Sequence, residues 1–190
     1  IIVDSGCYSY TFDYLERNNF RSTSYHNTPV LNSEEINRFI SPFHLWGLKH
    51  DARNLEHYLE ENGDVDTAII SHDGYRRLKA GLVLKRVFQL SKKEPKAVII
   101  ERISNLEGIS DIKIPFHFHH GVSARIEDNK VLINTKNNCF QLSLESEEEF
   151  KTKITPCKLA YDYSVYTKSS MLNVTIDCSK MKQLEFSSTL

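Results

Sequence analysis

Two short runs carry the residues best suited to chemistry. Asp4-Ser5-Gly6-Cys7-Tyr8-Ser9-Tyr10 is followed closely by Phe20-Arg21-Ser22-Thr23-Ser24-Tyr25-His26-Asn27-Thr28. A carboxylate oxygen and a neutral imidazole nitrogen are ordinary zinc ligands, and zinc takes three or four such groups at about 2.0–2.2 Å. Asp4 and His26 supply two, which do not make a site. On spacing alone the plainer reading is that Asp4 caps a turn and His26 is hydrogen-bonded in a loop. Tyr8, Tyr10 and Tyr25, with Arg17 and Arg21, form a second group. A guanidinium fork matches a carboxylate or sulfate bidentately, and a tyrosine ring stacks on a sugar face while its hydroxyl donates. The alternative is rings packed at strand edges and arginines as surface charges.

Other candidates are weaker. His72-Asp73-Gly74-Tyr75-Arg76-Arg77 reads as a hairpin turn whose polar groups satisfy one another. His117-Phe118-His119-His120 looks like a metal cluster, but strand alternation sends His117 and His119 to one face and His120 to the other, so a polar strand end is the better reading. Cys7, Cys139, Cys157 and Cys178 form no C-x-x-C pair and read as free, partly buried thiols. Asn173-Val174-Thr175 fits a glycosylation sequon. No phosphate loop, nucleophile elbow or Cys/His catalytic signature occurs.

The elements that must position these residues read as strands. Alternation, β-branched and aromatic runs predict strands over Thr67–Ile70, Val83–Leu90, Ala97–Arg102, Ile112–His119, Val131–Asn134, Cys139–Leu144, Leu159–Tyr166 and Leu172–Ile176. Asp73-Gly74, Glu107-Gly108 and Asp128-Asn129 read as turns, and the acidic run Glu145–Glu149 as a solvated edge or turn. The first 60 residues are expected to be mostly loop, with a helical turn near Asn32–Glu35 and weak helical character over Asp51–Leu59. The pattern predicts an all-β, antiparallel two-sheet β-sandwich in one domain spanning 1–190. At 190 residues with 40% hydrophobic side chains, such a domain buries a sizeable core without staples. The net charge of −1 offers no electrostatic footprint for nucleic acid or an anionic membrane. No apolar run is long enough to span a bilayer. The chain opens on Ile1-Ile2-Val3 without an initiator Met, as an excised piece of a longer protein would.

The opening resembles the C-terminal β-sheet domain of the heparinase II/III-like polysaccharide lyases and their bacterial relatives. That family's Asp-x-Gly-x-Tyr-x-Tyr strand end and Phe-Arg-Ser-Thr-x-x-His-Asn-Thr segment occur here as Asp4–Tyr10 and Phe20–Thr28. His72–Leu78, Arg86 and Phe116-His117 fit more loosely, and coverage is essentially the whole chain. The resemblance implies an N-terminal α/α toroid as a partner domain, with a cleft between toroid and sandwich. It also implies β-elimination on an acidic polysaccharide. A base removes the C5 proton of a uronic acid, its carboxylate is neutralised, and an acid protonates the departing O4. By the same resemblance, Asp4 and His26 are two of three protein ligands of a structural zinc, completed by an upstream His. Tyr10 and Arg21 line the cleft, the principal acid–base residues belong to the toroid, and this chain alone is inactive. A periplasmic or extracellular location is expected for the parent. The competing expectation is a non-catalytic glycan-binding or architectural sandwich, as in a capsule-polysaccharide-associated protein.

Overall fold

The computed structural model describes residues 1–190. Twelve strands form two sheets. The smaller contains β1 (Val30–Leu31), β6 (Asp111–His117), β10 (Phe150–Asp162) and β11 (Val165–Asp177), ordered β1-β6-β11-β10. The larger contains β2 (Asn54–Glu61), β3 (Val65–His72), β4 (Val83–Ser91), β5 (Ala97–Ser104), β7 (Ser123–Glu127), β8 (Lys130–Asn134), β9 (Cys139–Ser146) and β12 (Gln183–Thr189). Its order is β2-β3-β4-β5-β12-β9-β8-β7. Every pairing of named strands is antiparallel. The chain is the two-sheet sandwich expected.

Register explains the core. In the small sheet Ile112, Ile114 and Phe116 of β6 lie opposite Ile176, Val174 and Leu172 of β11, and all six are buried. A period of two sends such residues to one face, so the aligned pairs make one apolar layer. Val131, Ile133, Leu142, Leu144, Leu184 and Phe186 of the large sheet belong to the same cluster.

The two edges of β6 differ. Phe118 N–H donates to Ser170 O on the β11 side, whereas His117 N–H points the other way. Pro115, two residues before His117, therefore turns its missing N–H toward the outer edge, where no donor is needed. On that edge β1 pairs only with Ile112 and Lys113. The amino-terminal segment bridges farther along, from Ile2 to Phe118. The site lies in this interrupted edge.

Several expectations need correction. Asp51–Leu59 is not helical: Asn54–Glu61 is β2, an edge strand exposed on both faces. Its leucines and glutamates favour helix, but pairing with β3 overrides that weak preference. Leu159–Tyr166 is not one strand, because β10 ends at Asp162 and β11 starts at Val165. The turn falls at Tyr163-Ser164, with Ser164 at φ +63° in place of the usual glycine. The first 60 residues contain a helix, α1 (Tyr14–Arg21), capped by the Asp13 carboxylate accepting from Glu16 N–H at 3.0 Å. No helical turn forms at Asn32–Glu35, where Asn32 and Ser33 instead take positive φ.

Candidate functional site

Asp4 is placed by the turn that follows it. Its Oδ1 accepts from Gly6 N–H at 2.9 Å. Cys7 N–H donates to Ala160 O at 3.0 Å, and Ala160 N–H to Ser5 O at 2.8 Å, pressing the segment against β10. Gly6 is required twice over: its φ is +77°, and a Cβ there would sit 1.9 Å from Ala160 O.

His26 is placed from the other side. After α1 the chain makes a 3-10 turn, Thr23–Tyr25, and His26 N–H donates to Thr23 O at 3.1 Å. Glu35 anchors that turn, accepting from Ser22 Oγ at 2.7 Å, Thr23 N–H at 2.6 Å and Thr23 Oγ1 at 2.7 Å. Arg77 in turn holds Glu34 at 3.1 Å and the Glu35 carbonyl. Buried Tyr75 donates to Pro29 O at 3.0 Å, fixing the chain beyond His26. The segment His72–Arg77 satisfies itself only in part, since Tyr75 and Arg77 reach out to the Pro29–Ile36 stretch. Gly74 N–H reaches His72 Nδ1 at 3.1 Å, and Asp73 takes Arg76 at 2.9 Å.

The two predicted groups converge. Asp4 Oδ2 lies 2.7 Å from His26 Nδ1. The imidazole holds the Asp4 carboxyl below its usual range, and the carboxylate raises His26 above the ordinary histidine value. Two ligands on a tetrahedral zinc stand roughly 3.3 Å apart. The pair would therefore have to open by about half an ångström to admit an ion. No group of three or more His, Cys, Asp or Glu side chains is arranged to hold a metal. As it stands, the pair is a direct hydrogen bond between Asp4 and His26.

His117, read from sequence as part of a polar strand end, lies fully buried beside this pair. Burial, followed by the charge of His26, pushes it down to about 4. Its amide and its Nδ1 both face Asn27 Oδ1, at 2.7 and 3.1 Å, while its Nε2 is buried without a partner. Asn27 also donates from Nδ2 to Val3 O at 2.9 Å and accepts Arg86 Nη1 at its main-chain oxygen at 2.6 Å. Arg86 is paired with Glu101, whose Oε1 takes the guanidinium Nε at 2.6 Å. Glu101 is only 3% exposed; burial raises its pKa and the guanidinium opposes that rise. The Asn directly after His26 and the Phe116-His117 pair were visible in the sequence, but nothing there announced that they touch.

Tyr10 and Arg21 go elsewhere. Tyr10 lies near Trp46 and Tyr163 in stacked orientation, with centroids 5.7 and 5.4 Å away, and remains half exposed. Arg17 packs over Trp46 at 5.5 Å. Arg21 is engaged through two of its three nitrogens, Nε donating to Asn18 Oδ1 at 2.9 Å and Nη1 to His44 O at 3.0 Å and Gly47 O at 3.3 Å, while Nη2 is buried without a partner. Its guanidinium lies 4.2 Å from the Phe39 ring centroid, so it secures the 39–47 loop. Trp46, Tyr163, Phe12 and Phe43 leave an exposed aromatic patch on this side.

Residues 1–180 match the family model described as heparinase II/III-like, C-terminal. The chain belongs to the heparinase II/III-like C-terminal family. Its fold recurs in solved structures. The heparinase III BT4657 gene product superposes with a TM-score of 0.77 at 16% identity, over 99% of this chain and 27% of that one. Heparan sulfate lyase HepC from Pedobacter heparinus gives 0.76 at 17%, over 99% and 28%. A further heparinase III structure gives 0.76 at 19%, over 99% and 27%. The heparinase-family sandwich thus spans about a quarter of the length of these chains. No curated protein sequence matches it.

Proposed function

We propose that this chain is the C-terminal sandwich of a polysaccharide lyase that cleaves a uronic-acid-containing glycan, heparin/heparan-like or alginate-like, by β-elimination. The reading rests on the family match together with one observation, the meeting of Asp4 and His26 at 2.7 Å. In this reading both side chains ligate a structural zinc completed by a histidine outside this chain. Bound there, the ion would tie the Asp4 turn to the His26 loop at the seam with the α/α toroid. The toroid covers the exposed aromatic patch around Tyr10 and supplies the principal acid–base residues, so this chain alone is inactive. Arg21 shapes the cleft by holding the 39–47 loop, and Tyr10 by centring the ring stack. The parent works on polymer outside the cytoplasm, in the periplasm or beyond.

Metal analysis and a lyase assay on the full-length parent test this reading. One zinc per chain is expected, lost in Asp4→Ala and in His26→Ala; unchanged zinc in both variants would remove the ligand assignment. On heparin-like, chondroitin-like and alginate-like polymers, absorbance of an unsaturated uronate is expected from one class. A second reading, a non-catalytic glycan-binding or architectural sandwich, draws support from the aromatic patch. Silence on all three polymers, with glycan binding retained, would favour it.

A further inference from the structure

Asn27 meets three chain segments through one side chain. It touches the amino-terminal segment at Val3, next to Asp4; its own loop carries His26; and it touches β6 at His117. Its amide has a single workable orientation. Nδ2 must donate, because its partner is the Val3 carbonyl, and Oδ1 must accept, because one partner is the His117 main-chain N–H. The ring nitrogen 3.1 Å from Oδ1 must then carry a hydrogen. In a neutral imidazole only one nitrogen does, so the Nδ1–H tautomer leaves a bare lone pair on Nε2. That atom is buried and unpartnered. A buried acceptor without a donor is costly and seldom tolerated unless something else uses it. A ring nitrogen left bare while the other donates to a fixed oxygen is also how histidine is prepared for an electron-pair acceptor.

We propose that Asn27 is a positioning residue of the Asp4–His26 centre, whose side-chain amide locks His117 as the Nδ1–H tautomer and so keeps a bare Nε2 lone pair buried beside that centre. The inference deepens the functional reading and rests on it for the identity of the centre. The ring tautomer is nevertheless a property of this chain that neither zinc content nor lyase activity reports, so the two stand or fall separately.

The test is long-range proton–nitrogen correlation NMR on the nitrogen-15-labelled full chain at about pH 8.5, where histidine is neutral. His117 is assigned by the signals missing in His117→Gln. In the unsubstituted chain its Nδ1 is expected to resonate as pyrrole-type and its Nε2 as pyridine-type. Asn27→Ala removes the acceptor, and the ratio of Nε2–H to Nδ1–H should rise by about tenfold, as expected for one lost hydrogen bond. Asn27→Asp keeps an acceptor and exchanges the donor to Val3 O for a charged carboxylate oxygen, so it should restore the Nδ1–H pattern. A general loss of packing would not separate the alanine and aspartate variants in this way. An unchanged tautomer in Asn27→Ala overturns the proposal, as does an Nε2–H ring in Asn27→Asp. Should the alanine variant not fold, Asn27→Leu, which keeps the volume and lacks the acceptor, takes its place with the same expected and overturning results.

Discussion

The two edges of β6 are built on opposite principles. Toward β11 the strand makes a continuous ladder from Asp111 to His117, and its apolar residues meet apolar residues in register. Toward the outside the same strand, with its own Pro115 on that edge, meets a two-residue strand, an asparagine side chain and the Val3 amide. The ladder is held by many similar contacts, each sharing the load with its neighbours. The outer edge is held by a few dissimilar contacts with no substitute, and the Asp4–His26 pair sits there. Pattern makes the scaffold, and individual side chains make the site.

If that contrast is right, the largest loss should come from the buried ion pair that tethers the outer edge of β6 through Asn27. Glu101→Ala leaves the Arg86 guanidinium half-buried without its carboxylate and is expected to cost about 3–5 kcal/mol, read by denaturant unfolding. A cost under about 1 kcal/mol would mean that the main-chain tether from Arg86 to Asn27 is dispensable. Gly6→Ala comes next. Positive φ alone costs roughly 1–2 kcal/mol for a residue with a Cβ, and the collision with Ala160 O must add to it. Lower thermal stability is expected, with amide shifts concentrated around Asp4 and Ala160.

A pH series sharpens the comparison further. His117 is lowered to about 4 by burial. The stability it contributes is present above the ordinary histidine value and lost as pH falls from about 6.5 toward 4, on the order of 3 kcal/mol. His26 is raised, so its contribution is present below the ordinary value and lost as pH rises through the raised one. Asp4 is lowered, and its share fades as pH falls through that lowered value. Between about pH 4 and 6.5 the His117 ring acts together with His72, which burial also lowers, and His117→Asn should flatten the acid slope whatever it does to overall stability. At the small end, Arg102 and Glu185 pair across β5 and β12 at 2.6 Å with both side chains at least half exposed. Arg102→Ala should change stability by less than about 1 kcal/mol. A larger loss would show that the regular sheet, too, depends on single contacts.

The same contrast decides what the sequence discloses. Strands β8 and β9 were legible because alternation marks one apolar face, and β4 and β5 because they are runs rich in β-branched and other apolar residues. β12 was missed although Leu184, Phe186 and Ser188 are its buried positions, since a serine breaks the apolar count. α1 was missed because Phe20 is its one buried side chain; the Asp13-to-Glu16 cap was the signal available. At the site, the motif residues Asp4 and His26 could be paired from resemblance. The partners of His117 could not, because contact between residues 27 and 117 follows from edge geometry and from no local spacing. Tyr10 and Arg21 are the right kinds of residue for binding a sugar acid, but their ring and carbonyl neighbours could not be read from local spacing.

β2, the outermost strand of the large sheet, offers a row of unpaired backbone groups along its free side. It carries Glu56, Glu60 and Glu61 within eight residues. A second molecule attempting to lengthen the sheet through the same strand would bring carboxylates against carboxylates. This electrostatic guard discourages fibre-like stacking without any covering element.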